Sequence, residues 1–206
     1  VAGFARSQDV KLSLAWMNRA ARHTPAGPAR IGRLGGYYNL KYYRGFDELV
    51  ANTEDIAEWI VGQGWPAGKV RHIPNFAAAP PETAPTERGP LNTPADAPLL
   101  LSMGRLHDAK AHDVTLQALT RIPDAFLWIA GVGPQEAKLK AMAAALGVAD
   151  RVRFLGWRTD ASALYRAADI CVFPSRYEPL GNVVIQAWAH GLPVVAAASQ
   201  GPAALI

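Results

Sequence analysis

The chain has 206 residues, half of them hydrophobic and 18% charged, a composition suited to one large folded domain or two small ones. It holds no apolar run of the roughly 18 residues that a membrane-crossing helix needs. A net charge of +4 favours phosphate-bearing ligands or an anionic membrane surface, and the lack of a long basic run or basic–aromatic alternation argues against nucleic acid.

The chain opens on Val1 with no leader-like pattern of basic, apolar and small residues, and closes on an apolar segment, so it reads as a piece of a longer one. Residues 7–22 carry a helical apolar pattern through Leu12, Leu14, Trp16 and Met17, with Ser7 or Asp9 as cap. Trp16, Arg19 and Arg22 would give that helix a face for an anionic membrane or for the core. A short strand near 31–34 ends at Gly35-Gly36, and a helix near 39–44 follows. A strand over 48–52 leads to Thr53, the predicted N-cap of a helix over 54–63, and a last strand covers 70–73. Residues 76–97 are rich in proline and alanine and read as an interdomain linker.

From about residue 98 the pattern becomes regular. Strands are predicted over 99–102, 125–130, 152–155, 170–173 and 193–197, with helices over 113–121, 135–146, 161–167 and 182–190 between them. Short apolar strands alternating with helices describe parallel βαβ units. Cys171 lies inside such a strand and reads as a buried structural thiol, in keeping with a reducing, cytoplasmic location. In this class of sheet, ligands sit at the carboxyl ends of the strands, so the loops there should share one edge.

The first loop carries Gly104, Arg105 and Lys110 ahead of a helix amino end, either as an anion site or as two solvated cations. The second, Gly131 to Pro134, is a tight turn that would let backbone approach a ligand, or no more than a turn. The third holds Trp157 and Arg158, able to stack on a flat base or to cover the domain edge, and Asp160, a possible helix cap. The fourth runs from Pro174 through Glu178 to Gly181, with Gln186 about one turn into the next helix. A carboxylate there accepts from sugar hydroxyls, or serves as a dipole partner. His107, His112 and His190 read as surface or turn residues, and no histidine pair has metal-ligand spacing.

Six motifs in order, Gly104-Arg105-Leu106 with Lys110, Gly131 to Pro134, Val152 to Gly156, Leu164-Tyr165 with Ala168-Asp169, Pro174-Ser175 with Glu178 to Gly181, and His190 to Val195, resemble the donor-binding domain of the GT-B glycosyltransferases of the group 1, family 4 type. Leu49 to Thr53 and Val70 to Asn75 resemble the end of that family's amino-terminal domain. The resemblance implies an α/β fold of two Rossmann-like parallel-sheet domains, both truncated here. Residues 1–75 would belong to the acceptor-side domain and 98–206 to the donor-binding one.

It further implies retaining transfer from a nucleotide-diphosphate sugar without a metal or other cofactor. Arg105, Lys110 and Glu178 would be catalytic. Gly104, Gly133, Trp157, Arg158, Leu180, Gly181, Asn182, Val183 and Gln186 would bind the donor. The acceptor would be a glycan or a lipid-linked sugar in cell-surface polysaccharide or lipopolysaccharide synthesis, on the inner face of the plasma membrane. A non-catalytic nucleotide-sugar binder and a sugar-nucleotide epimerase are the alternatives. Gln186 departs from the family's second glutamate and should weaken donor binding by about 1 kcal/mol, one hydrogen-bond difference.

Overall fold

The computed structural model describes residues 2–206. The chain divides into two compact units, Val1–Asn75 and Phe76–Ile206, each built on its own parallel sheet.

In the first unit α1 (Ala2–Ser7) precedes β1 (Leu12–Trp16), α2 (Met17–His23), β2 (Ala29–Leu34), β3 (Glu48–Ala51), α3 (Glu54–Gly62) and β4 (Val70–His72). The four strands lie side by side in chain order, all parallel. The helix expected over 7–22 is not formed: β1 occupies its middle and α2 only its end. Leu12, Leu14 and Trp16 share one strand face and are exposed, while small Ala15 turns inward. Met17, at φ +67°, makes the break between strand and helix. Trp16 instead lies under the Arg33 guanidinium, 5.3 Å from ring centroid to charge centre. Thr53 caps α3 as its position predicts, its hydroxyl accepting from the Ile56 amide at 3.2 Å. The core gathers Leu34, Tyr43, Phe46, Leu49, Ile56 and Ile60.

The second unit contains β5 (Leu99–Met103), α4 (His112–Leu119), β6 (Phe126–Ala130), α5 (Glu136–Ala145), β7 (Val152–Gly156), α6 (Ala161–Ala167), β8 (Ile170–Phe173), α7 (Asn182–Ala189), β9 (Val194–Ala196) and α8 (Gln200–Leu205). Its sheet is parallel, ordered β7-β6-β5-β8-β9. Both faces are buried, which explains the continuous apolar strands. Leu100 and Leu127 pack with Leu116, Leu119 and Leu139 on one side. Leu99, Leu101 and Trp128 pack with Leu164, Tyr165 and Ala187 on the other. Cys171 is fully buried there, and burial pushes its thiol up to about 12.

Residues 76–97 contain one short 3-10 turn, Gly89–Leu91, and otherwise lie along the second unit. Arg88 holds them down by donating to the Ala97 carbonyl at 2.8 Å, the Ala167 carbonyl at 2.6 Å and the Asp169 carboxylate at 3.0 Å. A multiply bonded guanidinium of this kind removes the freedom that the proline-rich composition alone would leave.

The chain order β5-β6-β7 runs outward on one side of the sheet, and β8-β9 runs outward on the other. The direction reverses between β5 and β8. In sheets of this class, ligands bind in the crevice outside the carboxyl ends of the strands at such a switch point.

Candidate functional site

The loops that leave β5 and β8 flank this crevice. Lys110 comes from the first and Glu178 from the second, 68 residues apart in sequence, and the Lys110 ammonium donates to the Glu178 carboxylate. Both side chains are largely withdrawn from solvent, 26% and 16% exposed, so the pair is far less screened than a surface contact. The same ammonium lies 5.3 Å from the centroid of the Phe173 ring.

The two loops are joined a second time. The Arg176 backbone amide donates to the Ala109 carbonyl at 2.9 Å. Its guanidinium donates to the Asp108 carbonyl at 2.9 Å and forks onto the Asp113 carboxylate at 2.9 and 2.6 Å. The Arg176 fork holds the Asp113 carboxyl below the usual carboxylate range. Behind the loop from β8, the Gly201 amide donates to the Glu178 carbonyl at 2.8 Å, which ties α8 to the segment carrying the carboxylate.

Beside these loops is a cavity of about 400 Å³. Gly104, Arg105, Trp157, Arg158, Val183 and Gln186 line it, together with Met103, Ala130, Gly131, Val132 and Tyr165. The first six are expected donor-binding or catalytic residues from the sequence, and they come from two loops and one helix. The Arg105 guanidinium is exposed, with no hydrogen bond or ion pair among the described residues. Arg158 is committed: its Nε donates to Asp160 at 2.7 Å and its Nη2 to the second carboxylate oxygen. Asp160 is thereby held below the usual carboxylate range, and it makes no side-chain cap to α6. Asp160 does stand at the N-cap position of α6, where its backbone carbonyl accepts from the Ala163 amide at 3.0 Å, but its side chain is spent on Arg158. Its carboxylate fixes the plane of the Arg158 guanidinium at the cavity wall.

The Gly131 turn has a reason the sequence did not show. Gly131 sits at φ +150°, and a Cβ there would stand 1.9 Å from the Gly104 carbonyl oxygen. A Cβ at Gly133 would stand 2.3 Å from the Leu106 carbonyl oxygen. Both glycines thus let this turn pack backbone to backbone against the Arg105 loop, and the Leu106 amide donates to the Val132 carbonyl at 3.0 Å. Leu180 is buried and Gly181 opens α7 beside the carboxylate loop, while Asn182 is exposed on the first turn of that helix.

Gln186 reaches the cavity with its side-chain oxygen already engaged. The Tyr165 hydroxyl donates to it at 3.2 Å. Tyr165 is buried, and burial pushes its phenol well above the usual range, so it stays a donor. His190 stacks on the Tyr165 ring at 4.7 Å, and its ring nitrogens lie 2.7 Å from the Gln186 carbonyl and 3.0 Å from the Ser162 hydroxyl.

His112 is not the surface residue that its sequence neighbourhood suggests. It is buried at the start of α4, with Nδ1 3.0 Å from the Ser102 hydroxyl, and burial lowers its pKa. The signal was present in the spacing His112, Thr115, Leu116, Leu119, which is the buried face of α4. Among the described residues, no group of three or more His, Cys, Asp or Glu side chains is placed to hold a metal ion. No described helix is long and apolar enough to cross a membrane.

Residues 97–206 match the family of glycosyl transferases group 1. Over 201 residues the chain is 40% identical to the lipopolysaccharide core biosynthesis glycosyltransferase LpsE of Rhizobium meliloti (strain 1021), a match that covers 96% of this chain and 58% of that protein. The chain therefore spans little more than half the length of that curated relative. Among solved structures, that of Anabaena Alr3699/HepE in complex with UDP-glucose superimposes with a TM-score of 0.84 at 22% identity, covering 100% of this chain and 65% of that one. WaaG, a glycosyltransferase involved in lipopolysaccharide biosynthesis, superimposes with a TM-score of 0.80 at 21% identity, covering 99% of this chain and 64% of that one. At that identity these two structures speak for the fold, two parallel-sheet α/β units of the GT-B class.

Proposed function

This chain belongs to the group 1 glycosyl transferases, and from that premise we propose that its second unit binds a nucleotide-diphosphate sugar at the switch-point crevice. The whole protein then transfers the sugar, with retention and without a metal, to a glycan or lipid-linked acceptor in lipopolysaccharide core synthesis. The observation that carries this reading is the meeting of Lys110 and Glu178 across the crevice, beside a cavity whose mouth holds the unpaired cation Arg105.

Each group has a distinct task in this reading. Transfer breaks the bond between the anomeric carbon and the leaving phosphate oxygen, and negative charge grows on the diphosphate as it leaves. Arg105 and Lys110 stabilise that charge, and preorganised cations act most where charge develops. Glu178 accepts from hydroxyls of the donor sugar and so orients the anomeric carbon. The acceptor hydroxyl attacks from the face the diphosphate vacates, and its proton passes to the departing phosphate oxygen. Amides at the start of α7, around Leu180 to Val183, add donors for phosphate and sugar. Gly104 leaves room for the phosphates beside Lys110, Gly133 holds the neighbouring turn close, and Trp157 and Arg158 form a flat wall for the nucleobase. LpsE and WaaG support the pathway, and UDP-glucose in the HepE complex makes a uridine nucleotide the first donor to try. The proposed place of work is the cytoplasmic face of the membrane, reached by peripheral contact of a basic protein.

A panel of nucleotide sugars screened by thermal shift, followed by a transfer assay on the protein with a lipopolysaccharide-core acceptor, tests the reading. A bound donor raises the apparent melting temperature by mass action. Stabilisation by none of the panel, or release of a free epimerised nucleotide sugar in place of transfer, would overturn it.

A further inference from the structure

We infer that Arg176 is a positioning residue, which clips the loop carrying Lys110 to the loop carrying Glu178 so that both charges face one ligand. The inference rests on the donor-site reading above and adds to it a residue outside the cavity.

The geometry is one of redundancy. Lys110 and Glu178 stand on loops from different βα units, and no strand pairing continues past Met103 or Phe173 to hold those loops together. Their own ion pair cannot be the permanent link, because a diphosphate and a sugar hydroxyl must each replace one half of it. Arg176 supplies a link that the ligand does not have to break. Its amide bonds to Ala109, the residue before Lys110. Its guanidinium bonds to the Asp108 carbonyl and to both oxygens of Asp113, in the first turn of α4. The Arg fork matches the carboxylate in two parallel bonds, which fixes orientation as well as distance. Arg176 lies two residues from Glu178, and its contacts bracket Lys110 on both sides, so displacement of one loop is carried to the other. A lysine at this position would keep the charge and lose the second parallel bond.

The test is a double-substitution cycle read by UDP titration calorimetry and donor-turnover kinetics on the protein. Arg176→Met should weaken UDP binding about tenfold, the equivalent of one charge-assisted hydrogen bond lost at a displaced Lys110. In a Lys110→Ala background, the same substitution should weaken it less than about twofold, because the group it acts through is gone. Arg176→Lys should recover part of the loss. Equal weakening in both backgrounds, or unchanged UDP affinity and turnover with only a lower melting temperature, would overturn the inference and leave Arg176 a surface ion pair. If Lys110→Ala by itself leaves UDP affinity untouched, the donor-site reading fails first, and the inference goes with it.

Discussion

Glu178→Gln should tighten the binding of a nucleoside diphosphate while slowing sugar transfer. Without ligand, the Lys110 ammonium is neutralised by the Glu178 carboxylate, with the two side chains 26% and 16% exposed. A diphosphate must compete with that carboxylate for the same ammonium. Two unit charges about 4 Å apart interact by about 4 kcal/mol at an effective dielectric of about 20, and by about 1 kcal/mol in water. Part of this attraction is recovered when the displaced carboxylate returns to solvent or to a sugar hydroxyl. A net gain of about 1–2 kcal/mol on removing the charge is therefore expected, which is about 5- to 30-fold in dissociation constant. The sugar loses its charged acceptor, and a hydrogen bond to a charged group contributes about 1.5–3 kcal/mol. Transfer should fall by about 10- to 150-fold. Calorimetric titration of UDP at fixed ionic strength reads the first effect, and the initial rate at saturating donor reads the second. Weaker or unchanged UDP binding by Glu178→Gln would refute the argument that the ammonium is held in reserve by the carboxylate.

Three further outcomes follow from the same geometry. Gln186→Glu should strengthen donor binding by about 1 kcal/mol in a calorimetric titration, since a carboxylate keeps one free oxygen after accepting from Tyr165. Gly131→Ala should destabilise the fold by more than about 3 kcal/mol in a denaturant melt, because the new methyl meets the Gly104 carbonyl at a backbone angle that alanine avoids. Asp113 has a folded-state pKa below its unfolded value, so its contribution is present above the unfolded value of 3.8 and is lost as pH falls through the folded one. A melting-temperature series from neutral pH into acid should accordingly show Asp113→Asn closing on the parent protein only at the acid end.

The second unit was legible because Leu99, Leu100 and Leu101 are buried on alternate faces of one strand, which writes an unbroken apolar run. The helix α3 was legible from its cap at Thr53. The strand β1 was misread because its large residues, Leu12, Leu14 and Trp16, face outward while Ala15 is buried, the inverse of the usual pattern. The turn at Met17 depends on a backbone angle that no side chain announces. Six residues read from two loops and the first turns of α7 line one cavity, since all three segments lie at the same edge of the sheet. The contact between Lys110 and Glu178 was not readable, because it depends on β5 and β8 being neighbours and nothing in their sequences states the strand order. The contacts of Arg176 with Asp113 and of Tyr165 with Gln186 are not legible for a related reason: the partners are 63 and 21 residues away, and only packing brings them together.

The central claim is that one crevice receives both the diphosphate and the sugar. A crystal structure of the protein soaked with UDP and a non-transferable donor analogue tests it most directly. The account predicts phosphate oxygens within hydrogen-bond distance of the Arg105 and Lys110 nitrogens, with the Glu178 carboxylate turned to a sugar hydroxyl. A nucleotide bound elsewhere, with the Lys110–Glu178 pair intact, would contradict it.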